Sequence, residues 1–149
     1  MSTKEQNIEI VEHGSIEVYE KGNLDVIDEM VSEDFILHDP LTPEEIHGRD
    51  GLKEYVEANR DAFPDLNITI EQLVAEDDLV AVHFTIRGTH EGQLPDLDLE
   101  PTGAEIEIIG MEFDRIEDGK LVETRLLYDT LGFMQQVGAI PAEEMPGEQ

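Results

Sequence analysis

The stretch of residues 113–141, FDRIEDGKLVETRLLYDTLGFMQQVGAIP, contains the features that decide the fold. Two segments with strand-like patterns flank Asp118-Gly119, a dipeptide preferred in type I′ turns because both central positions need positive φ. The second segment ends at Asp129, and the residues after it favour a short helix. The stretch therefore predicts a β-hairpin followed by a helix, with a carboxylate at their junction.

The composition is strongly acidic, with 37 Asp and Glu against 9 Lys and Arg and a net charge of −28. Such a surface repels phosphate, so we expect no binding to nucleic acid or to an anionic membrane. The acids are spread along the chain and lysine is scarce. This pattern indicates a solvated acidic surface in a salt-rich cytoplasm, where screening weakens self-repulsion. We therefore expect a halophilic protein.

The length and the apolar content indicate one folded domain over residues 1–149. Hydrophobic residues make up 39% of the chain and are clearly periodic, which excludes disorder. The lack of cysteine excludes disulfides and thiol chemistry, and the sequence has neither an EF-hand loop nor a His-x-x-x-His metal pair. No apolar run approaches membrane-spanning length, so we expect a soluble, cytoplasmic protein.

The order of predicted elements defines the fold class. A first helix begins near residue 3, a short second helix follows residue 23, a short strand covers 35–37, and a third helix covers about 49–63. Strands are predicted at 66–75, 79–90, 104–116 and 120–128, with a last helix at 130–137. Helices followed by a strand meander predict an α+β fold, in which N-terminal helices cover one face of a curved antiparallel sheet and enclose a conical cavity. The acidic loop 91–102 is expected to rim the cavity mouth, and residues 142–149 to form a frayed tail.

Counting outward from the hairpin turn pairs Glu112 with Arg125 and Ile108 with Asp129. Cross-strand partners share a face, so Glu112, Arg125, Leu127 and Asp129 are predicted on one side of the sheet. If Asp129 faces the cavity, Glu112 and Arg125 form an ion pair along its wall. The opposite, outer face is then largely apolar and consists of Ile109, Met111, Phe113, Val122, Leu126 and Tyr128. An apolar outer face needs a cover, which predicts a homodimer.

Six segments resemble the SnoaL-like polyketide cyclases, or ester cyclases, of the NTF2-like superfamily. They are YEKGNLDVIDEMVSEDFILHDP, GRDGLKEYVEANRDAFPDLNITIEQLVAEDD, RGTHEG, PTG, RIEDGKLVE and YDTLGFMQQVGAIP, in the family's order. The resemblance implies a conical α+β barrel, commonly a homodimer, with a deep apolar pocket for intramolecular aldol closure. It implies no metal and no organic cofactor.

The same resemblance implies site residues. An Asp at the end of the last long strand acts as general acid/base in those cyclases, and Asp129 occupies that position, while His38 matches a companion His. Members often carry His-Trp where this chain has Thr124 and Arg125, so a guanidinium replaces an indole. In a dry pocket the pKa of a carboxylate rises toward working pH, which suits proton abstraction beside a carbonyl, with His38 or Arg125 stabilising the enolate.

Each of these residues also has a structural interpretation. Asp129 precedes the last helix and could cap it, and both roles can coexist. His38 could be a turn histidine before Asp39-Pro40. Phe84 alternates with a histidine, so one of the two faces the cavity. His90 shares the parity of Phe84 and is a pocket candidate, although a surface position at the strand end is the alternative.

The sequence thus predicts a small-molecule pocket protein. We expect cofactor-independent acid/base chemistry, either aldol closure or isomerisation, on a small apolar carbonyl compound, with pocket residues Arg125, Glu112, Phe84, His90 and Leu127. A second hypothesis is a non-catalytic protein that binds an apolar carboxylate through Arg125. A third is an assembly protein whose conical interior is only a folded core.

Overall fold

The structure of the protein, a computed structural model, describes residues 3–94 and 97–141, so the predicted tail at 142–149 lies outside the described residues. The helices are α1 (Thr3–Gly14), α2 (Asp25–Met30), α3 (Gly48–Ala62) and α4 (Thr130–Gln136). The strands are β1 (Val31–His38), β2 (Ile46–His47), β3 (Asn67–Glu76), β4 (Leu79–Thr89), β5 (Glu105–Glu117) and β6 (Lys120–Tyr128). The predicted element order is confirmed, with two differences. Strand β1 is longer than expected, and β2 lies between the predicted strand 35–37 and the predicted third helix, where no strand was expected.

The six strands form one curved, open sheet in the order β2-β1-β6-β5-β4-β3. The helices pack against this sheet, so the predicted α+β class is confirmed. The sheet is mixed rather than wholly antiparallel, because β1 pairs parallel to β6 while the other neighbours are antiparallel. This parallel pair brings the end of β1 beside the C-terminal half of β6, where His38 lies opposite Arg125.

The β5–β6 turn has the predicted type I′ geometry, with φ of 51° at Asp118 and 77° at Gly119. The predicted register beyond the turn is wrong. Between the pairs Ile116–Leu121 and Arg115–Glu123, β5 advances by one residue and β6 by two. Val122 is therefore the extra residue of a β-bulge, which shifts all later pairing by one.

The bulge reverses the faces that simple alternation assigns to β6. Glu112 lies opposite Leu126, and Arg125 lies opposite Phe113 on the other side of the sheet. Leu126 and Tyr128 line the interior rather than the outer face, while Arg125 and Leu127 are exposed. The predicted Glu112–Arg125 wall pair therefore does not form.

The α1 helix continues as a π-helical turn over Ser15–Glu20, in which the Lys21 N–H donates to the Ile16 carbonyl at 3.0 Å. Val18 and Tyr19 in this turn line the interior. The turn is held from outside by Arg60 of α3, whose Nη1 donates to the Tyr19 carbonyl at 2.9 Å. The π-helical turn therefore places the Tyr19 side chain in the space between the helices and the sheet.

Gly110 of β5 makes room for two aromatic residues of the interior. A Cβ added there would lie 2.7 Å from Phe84 Cζ and 3.0 Å from Tyr128 Cβ. The absence of a side chain at this position therefore sets how closely these aromatic residues approach β5.

We expect Gly110→Ala to lower the free energy of unfolding by about 1–3 kcal/mol, because the new methyl group overpacks the interior. Gly14→Ala is the matched control, since Gly14 has a helical φ of −62° and nothing within 4 Å of the new Cβ. The control should be neutral or stabilising by up to about 1 kcal/mol. Urea denaturation measures both, and equal effects would contradict the close packing at Gly110.

Candidate functional site

A cavity of about 190 Å³ lies between the helices and the sheet. Apolar side chains from α1, α2, α3, α4 and the five longer strands form most of its wall, as Leu52, Phe84 and Ile108 illustrate. We call this space the inner cavity. Because this wall is mostly apolar, electrostatic interactions of the few polar groups in it are stronger than they would be in water.

The polar part of the wall is an acid pair on β5 with a hydroxyl on β6. Glu112 and Asp114 are two residues apart and therefore share a face, which Thr124 joins across the strand pair. Thr124 Oγ1 donates to Asp114 Oδ1 at 2.6 Å, and Glu112 hydrogen-bonds to Asp114 through its side chain. Asp114 is 2% exposed, whereas Glu112 keeps partial accessibility because it borders the cavity.

Burial disfavours two negative charges at this place. Burial first, and then the Asp114 charge, raises the pKa of Glu112 well above its ordinary value. Burial also raises the pKa of Asp114, opposed by hydrogen bonds from Glu112 and Thr124. Glu112 therefore keeps its proton to a higher pH than an ordinary glutamate, and in that form its carboxyl can donate to the Asp114 carboxylate.

A second polar cluster separates the inner cavity from an outer pocket of about 480 Å³. The Tyr55 hydroxyl donates to Asp39 Oδ2 at 2.6 Å, and the Tyr128 hydroxyl donates to Asp39 Oδ1 at 3.1 Å. All three residues line both spaces. Burial, with the nearby Asp39 charge, raises the pKa of Tyr55, so this phenol stays neutral and donates. We call this cluster the tyrosine bar.

Tyr19 lies close enough to both polar clusters for their acidic groups to affect its pKa. Burial raises its pKa well above the ordinary range, and the charges of Glu112, Asp114 and Asp39 add to the effect. The phenol of the π-helical turn therefore stays protonated beside both acidic groups. It supplies a neutral hydroxyl in a cavity that is otherwise almost entirely apolar.

Asp129 does not line the inner cavity. Its side chain is exposed, and Oδ1 accepts a hydrogen bond from the Gly132 N–H at 2.9 Å. Asp129 thus caps α4, which is the structural alternative from the sequence. The shifted register explains the placement, since Tyr128 takes the inward position at the end of β6.

The other predicted polar residues on β1 and β6 also lie outside the cavity. His38 follows the inward-facing Leu37, and its Nε2 lies 2.8 Å from Glu123 Oε2. Arg125 Nη2 lies 3.3 Å from the same Glu123 oxygen, and its side chain is 64% exposed. Leu127 is 70% exposed. His38, Glu123 and Arg125 therefore form a charged cluster on the outer surface and do not line the inner cavity.

The remaining two predictions differ in outcome. Phe84 lines the inner cavity, as the parity argument expected. His90 is fully buried rather than on the surface, but it packs on Phe63 and does not line the inner cavity. Its Nδ1 accepts from the Thr102 N–H at 3.2 Å, which holds the loop after β4. That loop contributes Leu94 and Leu97 to the outer pocket.

Sequence reasoning missed Asp114, Asp39 and Tyr55 as site residues. A signal for Asp114 was present, because it has the same strand parity as Ile106, Ile108 and Ile116 and, together with Glu112, interrupts this apolar inward row. Asp39 gave no such signal, because Tyr55 and Tyr128 reach it from distant parts of the chain.

The fold is of the α+β class, and its helices and sheet border a mostly apolar cavity. The family model described as SnoaL-like polyketide cyclase matches residues 9–137, and the chain belongs to this family. No curated protein matches the chain. Among the described residues, no helix is long and apolar enough to cross a membrane, and no group of three or more His, Asp or Glu is placed to hold a metal ion.

Solved structures agree with this assignment. A protein assigned as a SnoaL-like polyketide cyclase from Jannaschia sp. CCS1 superposes with a TM-score of 0.83 at 24% identity, covering 95% of this chain and 98% of that one. A protein assigned as a polyketide cyclase from Acidithiobacillus ferrooxidans gives 0.79 at 29% identity, covering 93% and 99%. An LEH-like epoxide hydrolase from M. tuberculosis gives 0.71 at 12% identity, covering 93% of each chain. The first and third likenesses show the shared fold alone.

The acid pair predicts a specific pH dependence of stability. The ordinary pKa of Glu112 is 4.5, and above it the unfolded chain releases a proton that the folded protein keeps. The free energy of unfolding therefore falls as pH rises toward the raised pKa. Glu112→Gln removes this loss of stability because the glutamine amide does not titrate. Its N–H group can still donate a hydrogen bond to Asp114. We expect the variant to gain stability over the wild type as pH rises from about 4.5.

Urea denaturation of both proteins across this pH range makes the test, and the difference between them cancels the general effect of the acidic surface. A difference that does not change with pH would mean that Glu112 titrates as an ordinary surface carboxylate.

Proposed function

We propose that this protein is a cyclase- or isomerase-type enzyme that performs cofactor-independent acid/base chemistry on a small apolar carbonyl compound in the inner cavity. The observation that carries the proposal is the placement of Glu112 and Asp114, two hydrogen-bonded carboxyl groups in a mostly apolar cavity wall, where burial raises the pKa of Glu112. A carboxyl group whose pKa is raised toward neutrality is suited both to give and to take a proton at working pH.

The two carboxyl groups have different roles. Asp114 is nearly inaccessible and accepts hydrogen bonds from Thr124 and Glu112, so it acts as a positioning residue that sets the proton affinity of its neighbour. Glu112 borders the cavity and exchanges the proton with the substrate. When Glu112 gives its proton to a substrate oxygen, the pair becomes a base of increased strength, because two adjacent buried charges repel.

The proton balance closes for both reaction types. Glu112 first gives its proton to the carbonyl oxygen and then takes a proton from the neighbouring carbon, so that the electron pair of the C–H bond forms an enol, whose oxygen a neutral hydroxyl such as that of Tyr19 stabilises. In isomerisation Glu112 gives its proton to another carbon and takes back the proton of the enol oxygen. In aldol closure the enol carbon bonds to a second carbonyl carbon, Glu112 gives its proton to the oxygen of that carbonyl, and it takes back the proton of the enol oxygen. Each cycle restores the pair.

This proposal moves the acid/base role from Asp129 and His38 to Glu112. Both former candidates are directed away from the inner cavity and have structural partners there. The binding hypothesis loses its anchor for the same reason, since Arg125 lies on the outer surface beside Glu123.

Hydrogen–deuterium exchange at the α-carbons of cyclohexanone tests the role of Glu112. We expect the protein to accelerate this exchange in D₂O, and Glu112→Gln to reduce the accelerated rate by about 100-fold or more because the amide cannot carry the proton. The measurement is proton NMR of the ketone.

Asp129→Asn is the matched control, since asparagine is an equally good helix cap and the residue lies outside the cavity. It should keep the wild-type exchange rate. Loss of exchange in Asp129→Asn with an active Glu112→Gln would refute the assignment. A wild type that binds the ketone without exchanging it would indicate a binding protein.

We further propose that the outer face of the sheet forms a homodimer interface. Four large apolar side chains on β5 and β6 are exposed by more than half, namely Ile109 (57%), Met111 (60%), Phe113 (56%) and Leu127 (70%). The first three were expected on this face from the sequence. Burying such a contiguous apolar face against a second copy stabilises both copies.

Size-exclusion chromatography with light scattering in high salt tests this interface. We expect the wild type to be a dimer and Ile109→Asp to shift it toward monomer, because the new carboxylate, which lies opposite the uncharged Thr85, would be buried without a counter-charge. Ile16→Asp replaces an apolar residue that is 47% exposed on the helical side and should remain dimeric. A monomeric wild type would sink the proposal.

A further inference from the structure

The charges around the inner cavity are all of one sign. Glu112, Asp114 and Asp39 line it, whereas no lysine, arginine or histidine does so in the described part of the chain. A bound anion would lose its hydration without gaining a counter-charge, and it would lie near the carboxylate of Asp114. The cavity therefore discriminates against carboxylates and phosphates.

The outer pocket, which shares the tyrosine bar with the inner cavity, has the same sign of charge. The outer pocket is lined by Asp39, Glu44 and Glu54, and no basic residue among those described faces it. With a net charge of −28, the whole chain adds a field that repels anions.

The cavity is also a poor host for a cation. The Asp114 carboxylate already accepts from Thr124 and Glu112. Asp39 accepts from two tyrosine hydroxyls and, through Oδ1, from the Leu41 N–H at 2.8 Å. An incoming ammonium group would have to lose its hydration and share the oxygens of both carboxylates with these donors.

The volume limits the size of the ligand. The inner cavity measures about 190 Å³. An apolar cavity of about 150 Å³ accepts benzene, and drug-sized ligands need about 300 Å³ or more. The inner cavity therefore suits about six to ten non-hydrogen atoms. A larger ligand would have to break the tyrosine bar to extend into the outer pocket.

From these observations we propose that the substrate is an uncharged, single-ring-sized carbonyl compound rather than an anionic or multi-ring compound. This inference rests on the proposed function, which it narrows to a substrate class. It assigns selection by charge to the acid pair and selection by size to the tyrosine bar.

Calorimetric titration with matched probes tests the inference at neutral pH. Benzamide and benzoate have the same size and differ in charge, benzylammonium carries the opposite charge, and anthracene-9-carboxamide adds two fused rings to benzamide. Molar potassium chloride screens the surface field, so the remaining selectivity reports the cavity itself. We expect benzamide to bind, benzoate and benzylammonium to bind at least tenfold more weakly, and the anthracene amide to show no binding.

Two variants and one control connect the selectivity to the named residues. Asp114→Asn removes the buried charge and should reduce the difference in affinity between benzamide and benzoate. Arg125→Ala, the control, lies outside the cavity and should leave this difference in affinity unchanged. Tyr128→Phe removes one hydrogen bond of the tyrosine bar and should let the anthracene amide bind.

Benzoate or benzylammonium binding as tightly as benzamide would overturn the proposal. So would wild-type binding of the anthracene amide, or no binding of any probe. The outcome is separable from the proposed function: loss of α-hydrogen exchange with retained benzamide selectivity refutes the enzyme alone, while exchange with a preference for benzoate refutes the substrate class alone.

Discussion

The site depends on two neighbouring carboxyl groups in an apolar wall. Glu112 and Asp114 face the inner cavity from the same strand, and removing both protons would place two charges in an apolar surrounding. Thr124 donates a 2.6 Å hydrogen bond to Asp114, which favours the charge on Asp114 and the proton on Glu112. No lysine, arginine or histidine among the described residues lines the cavity beside the pair, and the pair costs stability that the surrounding apolar packing must offset.

Two further features border the cavity that contains this pair. The π-helical turn places Tyr19 in the cavity wall, and the tyrosine bar lies between the inner cavity and the outer pocket. Arg60 holds the turn from outside the cavity, whereas the tyrosine bar consists of Asp39 and two neutral tyrosines, which is consistent with a chain that has few basic residues. The arginines with an ion pair in the described residues lie at the surface or at the rims of elements, as Arg125 beside Glu123 and Arg87 beside Glu107 illustrate. The inner cavity therefore has a mostly apolar wall without a lysine or arginine among the described residues, inside a highly charged protein.

Local sequence patterns predicted the elements well and the site poorly. The I′ turn at Asp118-Gly119 and the helix α3 follow from turn chemistry and 3.6-residue periodicity, which act within a few residues. Val122 carries no local signal for a bulge, yet this one extra residue turned Asp129 and Arg125 outward and Tyr128 inward. The parallel β1–β6 pair and the contacts at Asp39 join residues far apart in the chain, so no window of sequence reveals them. Family resemblance predicted the fold correctly, and Asp129, to which it assigned the acid/base role, is the N-cap of α4.

Carbon-13 NMR of the side-chain carboxyl groups, followed through a pH titration, tests the central claim most directly. Replacement of Glu112 by Gln assigns its resonance. If the pair shares a proton, the Glu112 carboxyl will remain protonated well above the ordinary glutamate value of 4.5, and the Asp114 resonance will respond to the same titration. Two independent titrations near the ordinary values for glutamate and aspartate would contradict the account, because the cavity would then hold two separate carboxylates and no available proton.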